Sequence, residues 1–123
     1  MTLTRLVYGG DGTSREAAIA HHLSPEVNTV VILEGIASHP RLQSDGSLQV
    51  IRIAPGCPCC TGKLTMSVTL NRVLRNPPAT LFLSLADASH KETVRSFLQQ
   101  AQYCARLELG SDLDCAQGSQ NQA

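Results

Sequence analysis

Apolar and polar positions along the chain follow a pattern that predicts alternating strands and helices. Leu3–Tyr8 is predicted to form a first strand, and Ser14–Leu23 a first helix that ends before Ser24-Pro25. The run TVVILE (29–34) is short, apolar and β-branched, which is typical of a buried parallel strand. Residues 48–53 alternate in the manner of a third strand.

The second half of the chain continues the alternation. Four apolar residues follow the i, i+4, i+7, i+8 spacing of one helix face: Met66, Leu70, Val73 and Leu74. This helix is expected to end before Pro77-Pro78 and to be followed by a fourth strand at Ala79–Leu85. The pattern Ser89-x-x-Glu92 resembles a capping box at the start of another helix, and Ala105–Leu109 is predicted to form a fifth strand.

The alternation predicts the α/β class: one domain with a mostly parallel, five-stranded sheet and helices on both faces. We assign residues 1–109 to this domain and predict that the polar segment 110–123 is a disordered tail. In such folds, sites lie at the carboxyl ends of the strands. The Gly-rich turn after Tyr8 and the cysteines that follow the third strand are therefore expected at one edge of the sheet.

Charge and composition exclude several partners. The formal net charge is zero, so no global charge favours nucleic acid or an anionic membrane. No apolar stretch approaches the roughly 20 residues of a membrane span, and the amino terminus lacks a secretory pattern. Five cysteines are an odd number, and clustered thiols are typical of a reducing compartment, so we expect a cytoplasmic protein.

The turn after the first strand has the context of a phosphate-binding loop, which is a strand, a Gly-rich turn and a helix. In the pattern G-x-x-x-x-G-K-[ST], the Lys contacts the outer phosphates and the Ser or Thr hydroxyl binds Mg²⁺. The segment GGDGTSRE (9–16) has Ser14 at the second Gly, Arg15 at the Lys and Glu16 at the hydroxyl position.

These replacements predict impaired phosphate binding. Ser14 adds a Cβ where the backbone must approach phosphate closely. Arg15 keeps the positive charge, but its planar guanidinium cannot occupy the place of the Lys ammonium. Glu16 and Asp11 add negative charge, which repels a polyphosphate. Two interpretations stay open: a tight strand-to-helix turn, or a weak nucleotide site. The residues of that weak site would be Gly9, Gly12, Ser14 and Arg15. Asp87, after the fourth strand, is interpreted as a turn residue rather than a Mg²⁺ ligand.

The cysteine cluster Cys57-Pro58-Cys59-Cys60 is the second candidate site. Thiolate-rich sites suit Zn²⁺ or Cu(I), and a following helix with Lys63 nearby favours thiolates. No acidic residue occurs between Gly46 and Ala86. Three thiols leave a structural zinc site one ligand short. Metal binding through Cys57, Cys59 and Cys60, thiol redox chemistry and simple packing are the three interpretations.

The remaining imidazole and thiol groups are expected in ordinary positions. They are His21 and His22 on the first helix, His39 in a solvated loop or near the cluster, His90 in a helix first turn, Cys104 in the core, and Cys115 in the tail.

The order of these motifs resembles the amino-terminal half of the CobW-type metallochaperone GTPases, over about residues 3–109. Gly56-Cys57-Pro58-Cys59-Cys60-Thr61 matches that family's Gly-Cys-x-Cys-Cys-Thr. The helix ending in Asn71–Arg75 and the stretch Leu85-Ala86-Asp87 also look like the family's. The resemblance implies a P-loop NTPase-like fold and transition-metal binding, commonly Zn²⁺, by the three cysteines. Because Arg15 and Glu16 replace the family's Lys and Thr, it does not carry over GTP hydrolysis.

The sequence therefore predicts a non-hydrolysing domain that binds or hands over a transition metal, in partnership with a full-length GTPase or a metal-receiving protein. Two alternatives remain: a nucleotide-binding regulator that pairs with a complete GTPase, and a thiol redox protein that uses Cys57 and Cys59.

Overall fold

The computed structural model describes residues 2–24, 26–35, 42, 44, 46–53, 61–100, 103 and 105–115. Ten elements occur in this part of the chain. They are the strands β1 (Thr2–Tyr8), β2 (Thr29–Glu34), β3 (Leu48–Ile53), β4 (Thr80–Ser84), β5 (Leu107–Leu109) and β6 (Leu113–Asp114), the helices α1 (Gly12–His21), α2 (Thr61–Val73) and α3 (Lys91–Leu98), and a 3₁₀ turn at Ala88–His90. The predicted second and third strands are confirmed with their predicted bounds.

The strands form one parallel sheet in the order β3-β2-β4-β1-β5, with β6 also paired to β1. The predicted parallel α/β architecture is confirmed, and the described residues form five strands along this order together with the two-residue strand β6. The additional strand β6 lies in the segment that we predicted to be a disordered tail. That prediction is wrong for residues 110–115, and residues 116–123 lie outside the described part of the chain.

The sheet is covered on both faces, as predicted. On one face, apolar side chains of α2 and α3 pack on those of the strands, and the members include Leu70, Val94, Phe97, Leu6 and Ile32. On the other face, Ile19 of α1 packs with Val7, Val31 and Phe82. The alternating side-chain directions of β1, β2 and β4 supply both layers, because neighbouring residues in a strand point to opposite faces. The two layers hold the carboxyl ends of the strands at one edge.

No helix in the described ranges combines the length and the apolar character needed to cross a membrane.

Candidate site at the carboxyl edge of the sheet

The carboxyl ends of β1, β4, β2 and β3 lie side by side at one edge of the sheet, because all of these strands are parallel. The Gly-rich turn follows β1, and the chain that bears the cysteines follows β3. Three inter-strand steps of roughly 4.8 Å separate β1 from β3, which corresponds to about 14 Å. Cys57, Cys59 and Cys60 lie outside the described residues, and so does His39. The three cysteines fall in the sequence between Ile53, which ends β3, and Thr61, which begins α2, whereas His39 precedes β3.

The Gly-rich turn is held by its backbone conformation and by a helix cap. Gly9 and Gly10 have φ angles of 81° and 62°, in the left-handed region that favours glycine. Asp11 is the N-cap of α1, and its Oδ1 accepts a 2.7 Å hydrogen bond from the Ser14 N–H. This bond lowers the pKa of the Asp11 carboxyl. An aspartate side chain therefore already uses a backbone donor at the position where a phosphate loop would bind an anion.

Arg15 is buried, and its guanidinium faces the turn from which α1 begins. Its Nε donates to Ser84 Oγ at 3.1 Å, and one Nη donates to the Gly10 carbonyl at 3.0 Å and the Gly9 carbonyl at 3.4 Å. All three acceptors are neutral oxygens. The guanidinium thus joins the turn to the end of β4, which supports the interpretation of a tight strand-to-helix turn.

Glu16 does not face the turn, which corrects the expectation that its charge lies beside a polyphosphate. Its side chain is buried and points toward β3, where Oε2 pairs with Arg52 at 3.1 Å. Its Oε1 also accepts a 3.1 Å hydrogen bond from the Leu42 N–H. The physical reason is the helical period: Arg15 and Glu16 are about 100° apart on α1, so one side chain meets β4 and the other meets β3.

Beyond β4, Asp87 caps the 3₁₀ turn at Ala88–His90, in keeping with its interpretation as a turn residue. Its Oδ1 accepts hydrogen bonds from the Ser89 N–H at 2.9 Å and the Ser89 hydroxyl at 2.7 Å, which lower the pKa of the Asp87 carboxyl. The predicted capping box is wrong, because the N-cap of α3 is His90, which makes no side-chain capping hydrogen bond, and Asp87 caps the preceding 3₁₀ turn. At the end of β2, the buried Glu34 accepts a 3.0 Å hydrogen bond from the Ala86 N–H.

The segment 110–115 contributes contacts that the sequence did not reveal. Tyr8 donates a 2.9 Å hydrogen bond to Asp112 Oδ2, which also pairs with Arg95 at 2.5 Å. Burial and the Asp112 hydrogen bond raise the pKa of the Tyr8 hydroxyl. Cys115, expected to be incidental in the tail, is half-buried against the α1 face, and burial raises the pKa of its thiol. This burial disfavours the thiolate form of Cys115.

The other expected positions are partly described. His21 and His22 are exposed on α1, as predicted, and Cys104 lies outside the described residues. His90 ends the 3₁₀ turn, with its Nε2 3.7 Å from Asp87 Oδ2. Within the described ranges, no group of three or more His, Cys, Asp or Glu side chains is arranged to hold a metal ion.

No protein-family model, curated protein or solved structure was found to match this chain.

Proposed function

We propose that this chain is a non-hydrolysing, P-loop-type domain, similar to the amino-terminal half of the CobW-type metallochaperone GTPases, that binds a transition metal through Cys57, Cys59 and Cys60. Zn²⁺ is the metal we favour, because thiolates are its usual protein ligands. The metal is cargo that the domain holds and passes on. A metal-receiving protein or a full-length GTPase is the proposed partner, and the cytoplasm is the proposed location.

The observation that carries the proposal is the position of the cysteines in the sequence, between two elements that the structure describes. They occur between the carboxyl end of β3 and the first residue of α2. Sites in parallel α/β sheets form at this edge. The amino terminus of α2 carries partial positive charge, and its first turn contains no acidic residue. Both features favour ionised thiols, which are the form that binds metal.

The chemistry of the donor set fits a transferable metal better than a permanent one. Three sulfur donors leave one position of a tetrahedral zinc ion for water, another side chain or a partner. An open position allows an incoming thiolate or imidazole to bind before the first ligands leave. The three cysteines would hold the metal, and Cys115, which is half-buried against the apolar layer beneath α1, would take no part.

The contacts of the Gly-rich turn argue against the nucleotide alternative. Asp11 occupies the Ser14 N–H, Arg15 binds carbonyl oxygens of the turn, and Glu16 pairs with Arg52. Each of these three side chains already makes a contact within the fold that a bound nucleotide would have to share or replace. We expect no change in the amide NMR signals of residues 9–15 when GTP and Mg²⁺ are added to millimolar concentration.

Elemental analysis tests the proposal. Protein purified without chelator is expected to carry about one Zn²⁺ per chain, in keeping with a single thiolate site. The double variant Cys57→Ser, Cys59→Ser is expected to lose the metal, whereas the matched control Cys115→Ser keeps it. A wild-type preparation that stays metal-free after incubation with Zn²⁺ or Cu(I) contradicts the proposal. Metal-free protein whose Cys57 and Cys59 oxidise reversibly to a disulfide would support the redox alternative instead.

A further inference from the structure

Three clefts lie along the amino ends of the parallel strands, at the edge of the sheet opposite the Gly-rich turn. One of about 390 Å³ lies between the starts of β2 and β3, one of about 510 Å³ between the starts of β1 and β2, and one of about 240 Å³ beside the start of β5. Pro77, which precedes β4, lines all three clefts. They therefore border one another and form a concave surface, the amino-edge groove, whose lining includes Thr2, Asn28, Leu48, Asn76, Pro77 and Arg106.

Hydrogen bonds between the starts of the strands fix the backbone of this groove. The buried Thr2 hydroxyl donates a 2.7 Å hydrogen bond to the Pro78 carbonyl. The Asn28 carbonyl accepts hydrogen bonds from the Ala79 N–H at 3.0 Å and from the Thr80 N–H at 3.2 Å. The groove is therefore formed before any ligand arrives, and little conformational freedom of its backbone is lost when one binds.

Carboxamide side chains line the cleft between β2 and β3. They belong to Asn28, Gln49 and Asn76, which are all exposed. Within the part of the chain that the structure describes, none of these three side chains makes a hydrogen bond, and no charged residue lines this cleft. A carboxamide offers N–H donors and a carbonyl acceptor, as a peptide group does. These side chains can therefore pair with the alternating N–H and C=O groups of an extended chain.

Arginines surround the cleft beside β5. Arg106 lines it together with Leu74, the residue that precedes Arg75. The Arg75 N–H donates a 3.3 Å bond to the Arg72 carbonyl, and residues three apart on such a turn are neighbours on its surface. The three arginines are exposed, and none of their guanidinium groups has a partner among the described residues. This end of the groove therefore carries positive charge that no described carboxylate pairs with.

We propose that the amino-edge groove binds an extended peptide segment of a partner protein, with an acidic residue of that segment at the arginine end. Four inter-strand steps of roughly 4.8 Å separate β3 from β5, and the resulting length of about 19 Å matches about six residues of extended chain. Charge complementarity selects this occupant, because the unpaired guanidinium groups attract carboxylates. Glu26 lines the middle cleft and repels a carboxylate there. The inference does not depend on the proposed metal site.

The experiment uses the full chain and immobilised hexapeptides of threonine and valine that carry two aspartates at either end or in the middle. A matched set carries lysine in place of aspartate. We expect binding of peptides with terminal aspartates, weaker binding of those with central aspartates, and no binding of the lysine set. Glu26→Gln is expected to improve the binding of the central-aspartate peptides selectively. Fluorescence anisotropy of the tightest labelled peptide then gives the affinity for each variant.

Single substitutions separate the two parts of the groove. Arg75→Gln and Arg106→Gln are each expected to weaken binding about 2-fold to 5-fold, as is typical of exposed ion pairs. Lys91→Gln is their control, because it removes the same charge at the carboxyl edge, where the Lys91 ammonium lies over the Tyr8 ring. Asn76→Ala is expected to weaken binding about 3-fold. Its control is Asn71→Ala, at an exposed position of α2 outside the three clefts.

The absence of binding to every peptide, or equal binding of the aspartate and lysine sets, would overturn the inference. An equal loss in the groove variants and in their controls would overturn it as well. A single-stranded oligonucleotide and vesicles of anionic phospholipid are tested in parallel, and tighter binding of either one with the same arginine dependence would assign the basic end to that ligand instead. None of these outcomes depends on Zn²⁺, so the proposed function is judged separately.

Discussion

The Arg15 Nε donates a hydrogen bond of 3.1 Å to the Ser84 hydroxyl, which joins the first helix to the last residue of β4. The same guanidinium donates to the Gly9 and Gly10 carbonyls. The buried arginine thus ties together the two central strands of the sheet and the turn that follows one of them. Its role in the structure is to stabilise this turn.

Replacing Arg15 with methionine is expected to destabilise the fold by about 2 kcal/mol, because the buried acceptors lose a charged donor while the volume is kept. Urea unfolding followed by circular dichroism measures the change. Arg75→Met, at an exposed position, is the control and should stay within about 0.5 kcal/mol of wild type. An Arg15→Met variant as stable as this control would show that the turn does not depend on the guanidinium.

Gly10→Ala tests the conformation of the turn. Gly10 has φ +62°, and an added Cβ would lie 3.2 Å from the Ser14 Cβ and 3.3 Å from the Cys115 carbonyl oxygen. A left-handed residue with a side chain costs about 1–2 kcal/mol, and the close contacts add to that cost. Gly46→Ala, where an added Cβ meets nothing within 4 Å, is the matched control. Equal free energies of unfolding for the two variants would contradict the described turn.

Asp11 makes the stability of the fold depend on pH in the acidic range. The hydrogen bond from the Ser14 N–H lowers its pKa below the ordinary value of 3.8. The ionised cap therefore contributes stability that is fully present above pH 3.8 and is lost as the pH falls through the lower, folded-state pKa.

Asn keeps the capping oxygen and does not titrate, so Asp11→Asn is expected to show a smaller loss of stability on acidification than wild type. Chemical unfolding at a series of pH values from neutral to acidic measures this loss in the free energy of unfolding. Glu26→Gln, which replaces an exposed carboxylate outside any cap, serves as the comparison. If Asp11→Asn and wild type lose the same stability on acidification, the cap does not form.

The contact between Tyr8 and Asp112 gives the folding stability a pH dependence opposite to that of Asp11, with the loss at alkaline pH. Burial, and then the Asp112 hydrogen bond, raise the pKa of the Tyr8 hydroxyl above 10.0. Stability from this group is present below its ordinary pKa and is lost as the pH rises through the raised, folded-state value. In Asp112→Ala, the pKa of Tyr8 is expected to fall toward 10.0 but to stay above it, because burial is the larger cause.

An NMR titration of the Tyr8 ring carbons follows this change. Glu92→Ala is the control, because Glu92 is 72% exposed and its 3.5 Å pair with Arg95 lies outside the Tyr8 hydrogen bond. Asp112→Ala is also expected to lower the free energy of unfolding by about 1 kcal/mol. A Tyr8 titration that is identical in Asp112→Ala and wild type would contradict the contact between them.

Periodicity predicted the elements of this fold well where packing and pattern agree. β2 is buried along its whole length, so its continuous apolar run marked both of its ends. β6 was missed because Leu113–Asp114 is a short strand in a polar segment, and only its register with Val7 and Tyr8 makes it part of the sheet. A two-residue strand leaves no period in the sequence, and tertiary pairing alone determines it.

The Gly-rich turn was predictable in its location but not in its contacts, and the cysteine site stays a prediction. Strand order places the ends of β1 and β3 at one edge, as the alternation predicted. The directions of Arg15 and Glu16 were not foreseen, because matching them to a phosphate-loop pattern assumed a bound ligand. One signal was present: Leu48, Val50 and Arg52 share a face of β3 toward α1, where Glu16 is the only acidic residue of that helix. The buried carboxylate of Glu16 needs a cationic partner, and Arg52 is the basic residue of that strand.

Titration of the apo protein with Co²⁺ under reducing conditions shows whether the sulfurs of Cys57, Cys59 and Cys60 bind one metal ion. We expect an intense thiolate-to-cobalt charge-transfer band that saturates at about one equivalent and disappears when Zn²⁺ is added, in keeping with a soft, sulfur-rich site. The band should persist in Cys115→Ser and be absent when the three clustered cysteines are replaced by serine. A wild-type spectrum without this band, or one retained in the triple serine variant, would contradict the account.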